Sequence, residues 1–304
     1  MPEQKLSVAA AQIAPRLGNV EANLAIAEKS IAEARGQGAD LVVFPELSLT
    51  GYLLRDMVST VALRLDAAPL KHLRKLSQKI AILVGFVEES RSFRFHNAAV
   101  LLDKGEIVAV HRKVYLPTYG MFDEQRYFAR GGEVRAFDSR FGRGAILICE
   151  DLWHPSTAYL AALDDALFIL CPSASPLRGV SEGQDHDDNA RYWEMINGFY
   201  ATTFALSLVY ANRVGFEDGI GFWGGSEIVD ASGERVVKAK YYEEDLVVGE
   251  IHQKLARRRR IAAPLLRDED LDLTINELLR LRGRPTRLEP KGETVAERRR
   301  LARR

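Results

Sequence analysis

Residues 41–52 read LVVFPELSLTGY. The apolar run Leu41–Phe44 is short and stops at Pro45, which reads as a buried strand and not as a helix. Glu46 follows at once, delivered at the strand's C-terminal edge, where ligand sites in α/β sheets concentrate. Upstream, Leu6–Ile13 is a second buried run. Gly18-Asn19 breaks it, and Asn19 is placed to cap a helix carrying Leu24, Ala27, Ile31 and Ala34 at helical spacing until Gly36 and Gly38. Strand, helix, strand is the opening of an α/β fold.

The same alternation continues downstream. A helix around Pro69–Lys79 precedes a strand at Ala81–Val87, and Ala98–Leu102 and Ile107–Val110 flank the hairpin signal Asp103-Lys104-Gly105. A strand at Ala145–Cys149, a helix over roughly His154–Leu163 and a strand at Leu167–Cys171 follow. Asn189–Ser207 reads as a long helix with Tyr192, Ile196, Phe199 and Thr203 on one face. Val209–Asn212, Glu227–Asp230, Arg235–Lys240 and Leu246–Ile251 read as closing strands. No repeat at a solenoid period is visible.

The chain has 304 residues, 47% hydrophobic, enough to build a large core. No run of 18 apolar residues suggests a membrane span, and Met1–Lys5 leads into a strand without the features of a signal peptide. Two cysteines in so long a chain argue against a disulfide framework, so a cytoplasmic protein is expected. The 42 basic and 42 acidic residues balance, but unevenly along the chain. Residues 256–304 carry 15 basic against 8 acidic side chains, and the body is correspondingly acidic. That tail has no aromatic residue to stack a base, so a solvated segment is expected and not a nucleic-acid surface. Leu271–Leu281 within it reads as a weak amphipathic helix. The expected organisation is a domain over 1–256 and a basic, partly helical extension over 257–304, expected to serve assembly at a subunit interface and not catalysis.

Three runs place a reactive residue at a strand end: LVVFPELSLTGY with Glu46, VAVHRKVYLPTYGMFDEQRYF with Lys113 and Glu124, and GAILICEDLWHP with Cys149. A thiol becomes a strong nucleophile beside a base or a positive charge, which Glu46 and Lys113 would supply. Each alone has a plain structural reading: a core cysteine, a solvated lysine, an acid in need of a partner. The combination carries the weight. Glu46 and Lys113 are expected to serve chemistry and not folding, and Cys149 to be the sole catalytic thiol. A Cys–His pairing with His96, His111, His154 or His186 lacks a local signature. Cys149 and Cys171 show no metal-ligand spacing, and no metal or cofactor is expected. Asp185, His186, Asp187 and Asp188 read as an acidic helix start. The run GIGFWGGSE has no Walker lysine and reads as a loop between strands.

In order and spacing these runs resemble the nitrilase (carbon–nitrogen hydrolase) superfamily over about residues 5–251. The resemblance implies Glu46 in FPELSLTGY as general base, Lys113 in HRKVYLP as catalytic lysine and Cys149 in LICEDLWHP as nucleophile. It implies Glu124 in FDEQRYFARGG as a second glutamate that positions substrate. The backbone N–H of Glu150 would join Lys113 in holding an oxyanion, and Tyr52, Tyr119 and Ser175 are substrate-positioning candidates. Within the superfamily the chain looks most like the glutaminase domain of glutamine-dependent NAD synthetases, through GADLVVFPELSLTGY, YLPTYGMFDEQRYF, ICEDLW and SASPLRG. It departs from that group in having Ser173-Ala174-Ser175-Pro176 where Asn-Ala-Ser-Pro is usual, and no SGGxDS-type loop follows, so an ATP-dependent half is not expected in this chain. The implied fold is a four-layer α-β-β-α sandwich that pairs into homodimers or larger homo-oligomers. The implied reaction is hydrolysis of a small amide through a cysteine thioester. Alternatives are a glutaminase subunit feeding ammonia to a separate synthetase, a nitrile hydrolase, and a catalytically idle binding module.

Overall fold

The computed structural model describes residues 5–177 and 188–283. The cluster Asp185–Asp187 and the end of the basic tail lie outside the described residues. Among the described residues one compact unit runs to Leu266, and a second begins at Arg267.

The first half opens with β1 (Lys5–Gln12), α1 (Val20–Gly36) and β2 (Leu41–Val43). The Asn19 side chain accepts a hydrogen bond from Ala22 N, capping α1 as its position suggests. A 3₁₀ turn at Arg55–Met57 leads into α2 (Val58–Val61), then α3 (Ala68–Leu76) and β3 (Ala81–Glu89). β4 (Phe95–Asp103) and β5 (Glu106–Arg112) form the expected hairpin, with positive φ at both Lys104 and Gly105.

A short α4 (Glu124–Tyr127) precedes β6 (Ala136–Ser139) and β7 (Gly142–Ile146), and α5 (Glu150–Trp153), α6 (Pro155–Leu163) and β8 (Phe168–Ser173) follow. After α7 (Asp188–Phe204) come β9 (Ser207–Asn212), β10 (Val214–Glu217), β11 (Ile220–Trp223), β12 (Glu227–Val229), β13 (Arg235–Lys238) and β14 (Asp245–His252), then α8 (Gln253–Ala262) and α9 (Leu271–Arg282).

Two six-stranded sheets result, in the orders β14-β1-β2-β3-β4-β5 and β13-β12-β9-β8-β7-β6. Each has three parallel strands at its centre, β1-β2-β3 and β7-β8-β9, with antiparallel strands outside them. Strand alternation then sorts the side chains. Leu41, Val43, Ala81 and Leu83 meet Ile146, Phe168, Leu170 and Val209 in a core between the sheets. Val42, Ile82 and Val84 face the other way, onto Ala27, Ile31, Leu70 and Leu73 of α1 and α3. Ala145, Ile169 and Leu208 do the same against Ala158, Ala161, Trp193 and Ile196 of α6 and α7. The architecture is the four-layer α-β-β-α sandwich.

Three local readings change. The GIGFWGGSE run holds β11, which pairs with β10 as a separate ribbon through an Asp218-Gly219 turn with positive φ at both residues. Glycines inside the run mask its alternation. On α7 the buried stripe is Trp193, Ile196, Asn197 and Tyr200, one residue round from the expected face, and Phe199 is 57% exposed. Within the basic segment expected to be solvated, Arg257–Arg260 belong to a helix, α8, whose Ala256 is buried and whose Arg260 donates to Ala166 O. In the second unit α9 is capped by Asp270 and buries none of its residues. Among the described residues no helix is long and apolar enough to cross a membrane.

Candidate active site

Three loops leave the strand ends of both sheets and meet over the parallel centre. The first carries Glu46. It folds flat onto β3 because Gly85 has no side chain: a Cβ there would stand 2.5 Å from Leu47 N and 2.7 Å from Pro45 O. Leu49 N bonds Gly85 O at 3.0 Å, securing the approach. The second loop carries Lys113, whose backbone N–H bonds Asn97 O and whose carbonyl accepts from Gly131 N, both at 2.8 Å. The third carries Cys149, which sits between β7 and α5 at φ 45° and ψ −103°. A left-handed conformation at a non-glycine residue costs energy and persists only where its surroundings impose it. Here Cys149 N bonds Pro172 O at 3.0 Å, and Leu152 N bonds Cys149 O at 2.9 Å.

The side chains form one buried polar cluster. Lys113 Nζ donates to Glu46 Oε1 and to Glu124 Oε1, each at 2.7 Å. Glu46 Oε1 also accepts from Asn97 Nδ2 at 2.7 Å, and its Oε2 accepts from Ala174 N at 2.9 Å. Tyr52 donates its hydroxyl to Glu124 Oε1 at 2.5 Å. Ser173 Oγ donates to Cys149 Sγ at 3.3 Å. Lys113 and Glu46 are each 1% exposed, so these charges meet almost without water.

That burial sets the protonation states. Burial and then the Glu46 carboxylate push the Cys149 thiol well above its ordinary range, and Lys113 offsets this only in part. The resting thiol is therefore neutral. Burial alone would lower the Lys113 pKa, but Glu124 and Glu46 together hold it well above the usual lysine range, so it is a cation. Burial raises the Glu124 carboxyl to about 7, with Lys113 opposing the shift and Glu46 adding to it.

The Glu124 shift predicts a stability signature. Between its ordinary value of 4.5 and about 7 the folded protein keeps a proton that the unfolded chain has released. This contribution is complete below 4.5 and is lost as pH rises through 7. Thermal melts from pH 4.5 to 8 should show wild type losing ground to Glu124→Gln across that window. Parallel curves would reject the assignment.

The other expected positions divide. Tyr119 donates its hydroxyl to the Glu150 carboxylate, at 3.0 and 2.9 Å to the two oxygens. The Glu150 N–H begins α5, where helix geometry gives it no acceptor within the helix. Ser175 Oγ accepts from Asn189 Nδ2 and Trp193 Nε1, both at 2.8 Å, and so ties the start of α7 to the end of β8. Of the histidines weighed against Cys149, His111 bonds Asp151 Oδ2 at 2.8 Å, His96 bonds Ala129 O at 2.8 Å and His154 stacks on Tyr115. His186 is outside the described residues. Asn97, Asp151 and Ser173 join the site without having been singled out by residue type. Asp151 and Ser173 stand inside quoted runs, but Asn97 has no local signal.

Two stacked sheets thus gather a half-buried cysteine with a buried lysine and two buried glutamates at their strand ends. Residues 7–261 match the carbon–nitrogen hydrolase family model, and the chain belongs to that family. It is 35% identical over 251 residues to a glutamine-dependent NAD(+) synthetase of Thermotoga maritima, covering 80% of this chain and 42% of that one. The chain thus spans less than half the length of that relative. The carbon–nitrogen hydrolase of Helicobacter pylori G27 superposes with a TM-score of 0.80 at 26% identity, covering 90% of this chain and 98% of that one. A mutant of a Nesterenkonia amidase, with the acetamide moiety of fluoroacetamide added covalently at its active-site cysteine, superposes with a TM-score of 0.74 at 26% identity. That match covers 89% of this chain and 96% of the amidase.

Proposed function

We propose that the chain hydrolyses a small amide through a thioester on Cys149, with Glu46 as base and Lys113 as the positive charge over the oxyanion. The observation that carries this is the half-buried thiol, raised in pKa and held in a strained turn beside a carboxylate already ion-paired to lysine. Such a thiol needs a base at the moment of attack. Glu46 takes the thiol proton as sulfur bonds to the amide carbon. The carbonyl oxygen takes up negative charge facing Lys113 and the Glu150 N–H. The C–N bond then breaks, the nitrogen leaves with a proton from Glu46, and water cleaves the thioester to release acid and free thiol. A nitrile would begin in the same way and pass through a thioimidate.

Within this reading glutamine is the favoured substrate. The likeness to the T. maritima synthetase supports it, as does the Glu150 carboxylate oriented by Tyr119 next to the nucleophile, suited to an ammonium group on the substrate. Ammonia release should be screened over glutamine, simple amides, nitriles and N-carbamoyl compounds. Turnover of nitriles alone would overturn the amide reading, and a uniform absence of turnover would favour an idle module. If the chain feeds a separate synthetase, glutaminase activity should rise when that partner is added.

The outward faces of α6 and α7 expose Leu160, Met195 and Phe199 at 49%, 59% and 57%. Large apolar side chains exposed on both helices favour a homo-oligomer over a monomer. A sedimentation mass of one chain would count against it.

A further inference from the structure

We propose that Asp151, itself held by His111, is the positioning residue that sets Lys113 against Cys149; this rests on the catalytic reading of that pair. The Asp151 side chain is fully buried and its two oxygens accept four hydrogen bonds. Oδ1 accepts from Val114 N and Tyr115 N, both at 2.9 Å, the two peptide groups directly after Lys113. Oδ2 accepts from Ile148 N at 3.0 Å, the residue directly before Cys149, and from His111 Nε2 at 2.8 Å, two residues before Lys113.

One carboxylate therefore bridges the loop that carries the lysine and the turn that carries the thiol. The two loops arise from different sheets, β5 in one and β7 in the other, so no shared strand ladder fixes their spacing. Asp151 is itself immobilised. Its N–H bonds Ile148 O at 2.9 Å, closing a loop around Cys149, and its carbonyl accepts from Thr157 Oγ1 at 2.5 Å. All four groups facing the carboxylate are donors. An amide of the same shape has one acceptor oxygen and one NH₂, so it must turn a donor toward either the lysine loop or the cysteine turn. That end is then released.

The test uses the full chain, with Asp151→Asn, His111→Gln and His111→Phe assayed beside Cys149→Ala. In folded Asp151→Asn, kcat should fall on the order of 10²-fold while KM stays within roughly threefold, because a small misplacement of reacting groups penalises chemistry more than binding. Alkylation of Cys149 by iodoacetamide should slow as well, since the lysine no longer sits squarely against the thiol. His111→Gln keeps a donor for Oδ2 and should retain more activity than His111→Phe. Wild-type kcat and alkylation in Asp151→Asn, or equal losses in the two His111 variants, would overturn the proposal. If Asp151→Asn fails to fold, the ranking of the His111 pair decides. Turnover by Cys149→Ala would instead sink the catalytic reading itself.

Discussion

Cys149→Ala is expected to lose all measurable ammonia release, by at least roughly 10⁴-fold, because the proposed acyl bond forms on its sulfur. The second cysteine cannot substitute. Cys171 is wholly buried in the core beneath α6 and α7, whereas Cys149 is only half-buried. Iodoacetamide should accordingly label Cys149 first and abolish turnover in proportion. Cys171→Ala should keep its activity and lose about 1 kcal/mol of stability, the cost of a small core deletion. The strained backbone at residue 149 is shared by Cys and Ala, so Cys149→Ala should melt near wild type. Activity surviving in Cys149→Ala, or vanishing in folded Cys171→Ala, would refute the assignment.

Lys113→Ala is expected to do two things at once. Removing the charge opposite the oxyanion should lower kcat by on the order of 10³-fold. It also leaves Glu46 and Glu124, both buried, facing one another without a cation. Breaking a buried ion pair from one side typically costs about 3–5 kcal/mol, so the melting temperature should drop sharply. The sequence alone suggests a lysine dispensable for folding, and its burial between two carboxylates reverses that expectation. The double variant Lys113→Ala with Glu124→Gln separates the effects. It should recover a substantial part of the stability, because one of the stranded carboxylates is gone, while turnover stays low. A Lys113→Ala protein as stable as wild type would mean that the cluster carries less charge than its geometry implies.

The parts of this molecule legible in its sequence are those written locally. Leu41–Phe44 before Pro45, and Ala145–Cys149 before a helix start, announce buried strands whose ends carry Glu46 and Cys149. Asn19 announces its helix. What stays hidden depends on which distant strands become neighbours. Asn97 reaches Glu46 only because β4 lies beside β3 in the sheet that also holds β2. Asp151 is visible as one acid in CEDLW, but its four donors come from two segments on different sheets. The stripe on α7 shifts by one residue because Tyr192, Trp193, Phe199 and Tyr200 offer two aromatic faces, and only packing on β8 and β9 selects between them. Ser175 reads as available for substrate, yet Asn189 and Trp193 use its hydroxyl.

The pairing of β1 with β14 bears on how the chain is made. Lys5 lies opposite His252 and Gln12 opposite Asp245, so β1 has as its outer neighbour a strand some 240 residues further along the chain. A ribosome releases β1, β2 and β3 long before the strand that covers β1 exists. During that interval β1 presents unpaired backbone groups and apolar faces, the kind of edge that recruits other chains. Long-range closure of this sort also slows folding, because the loop entropy is lost before the contacts form. The nascent protein thus has its greatest need of protection over the very sheet that will later hold Glu46, until residues 245–252 emerge and zip the edge shut.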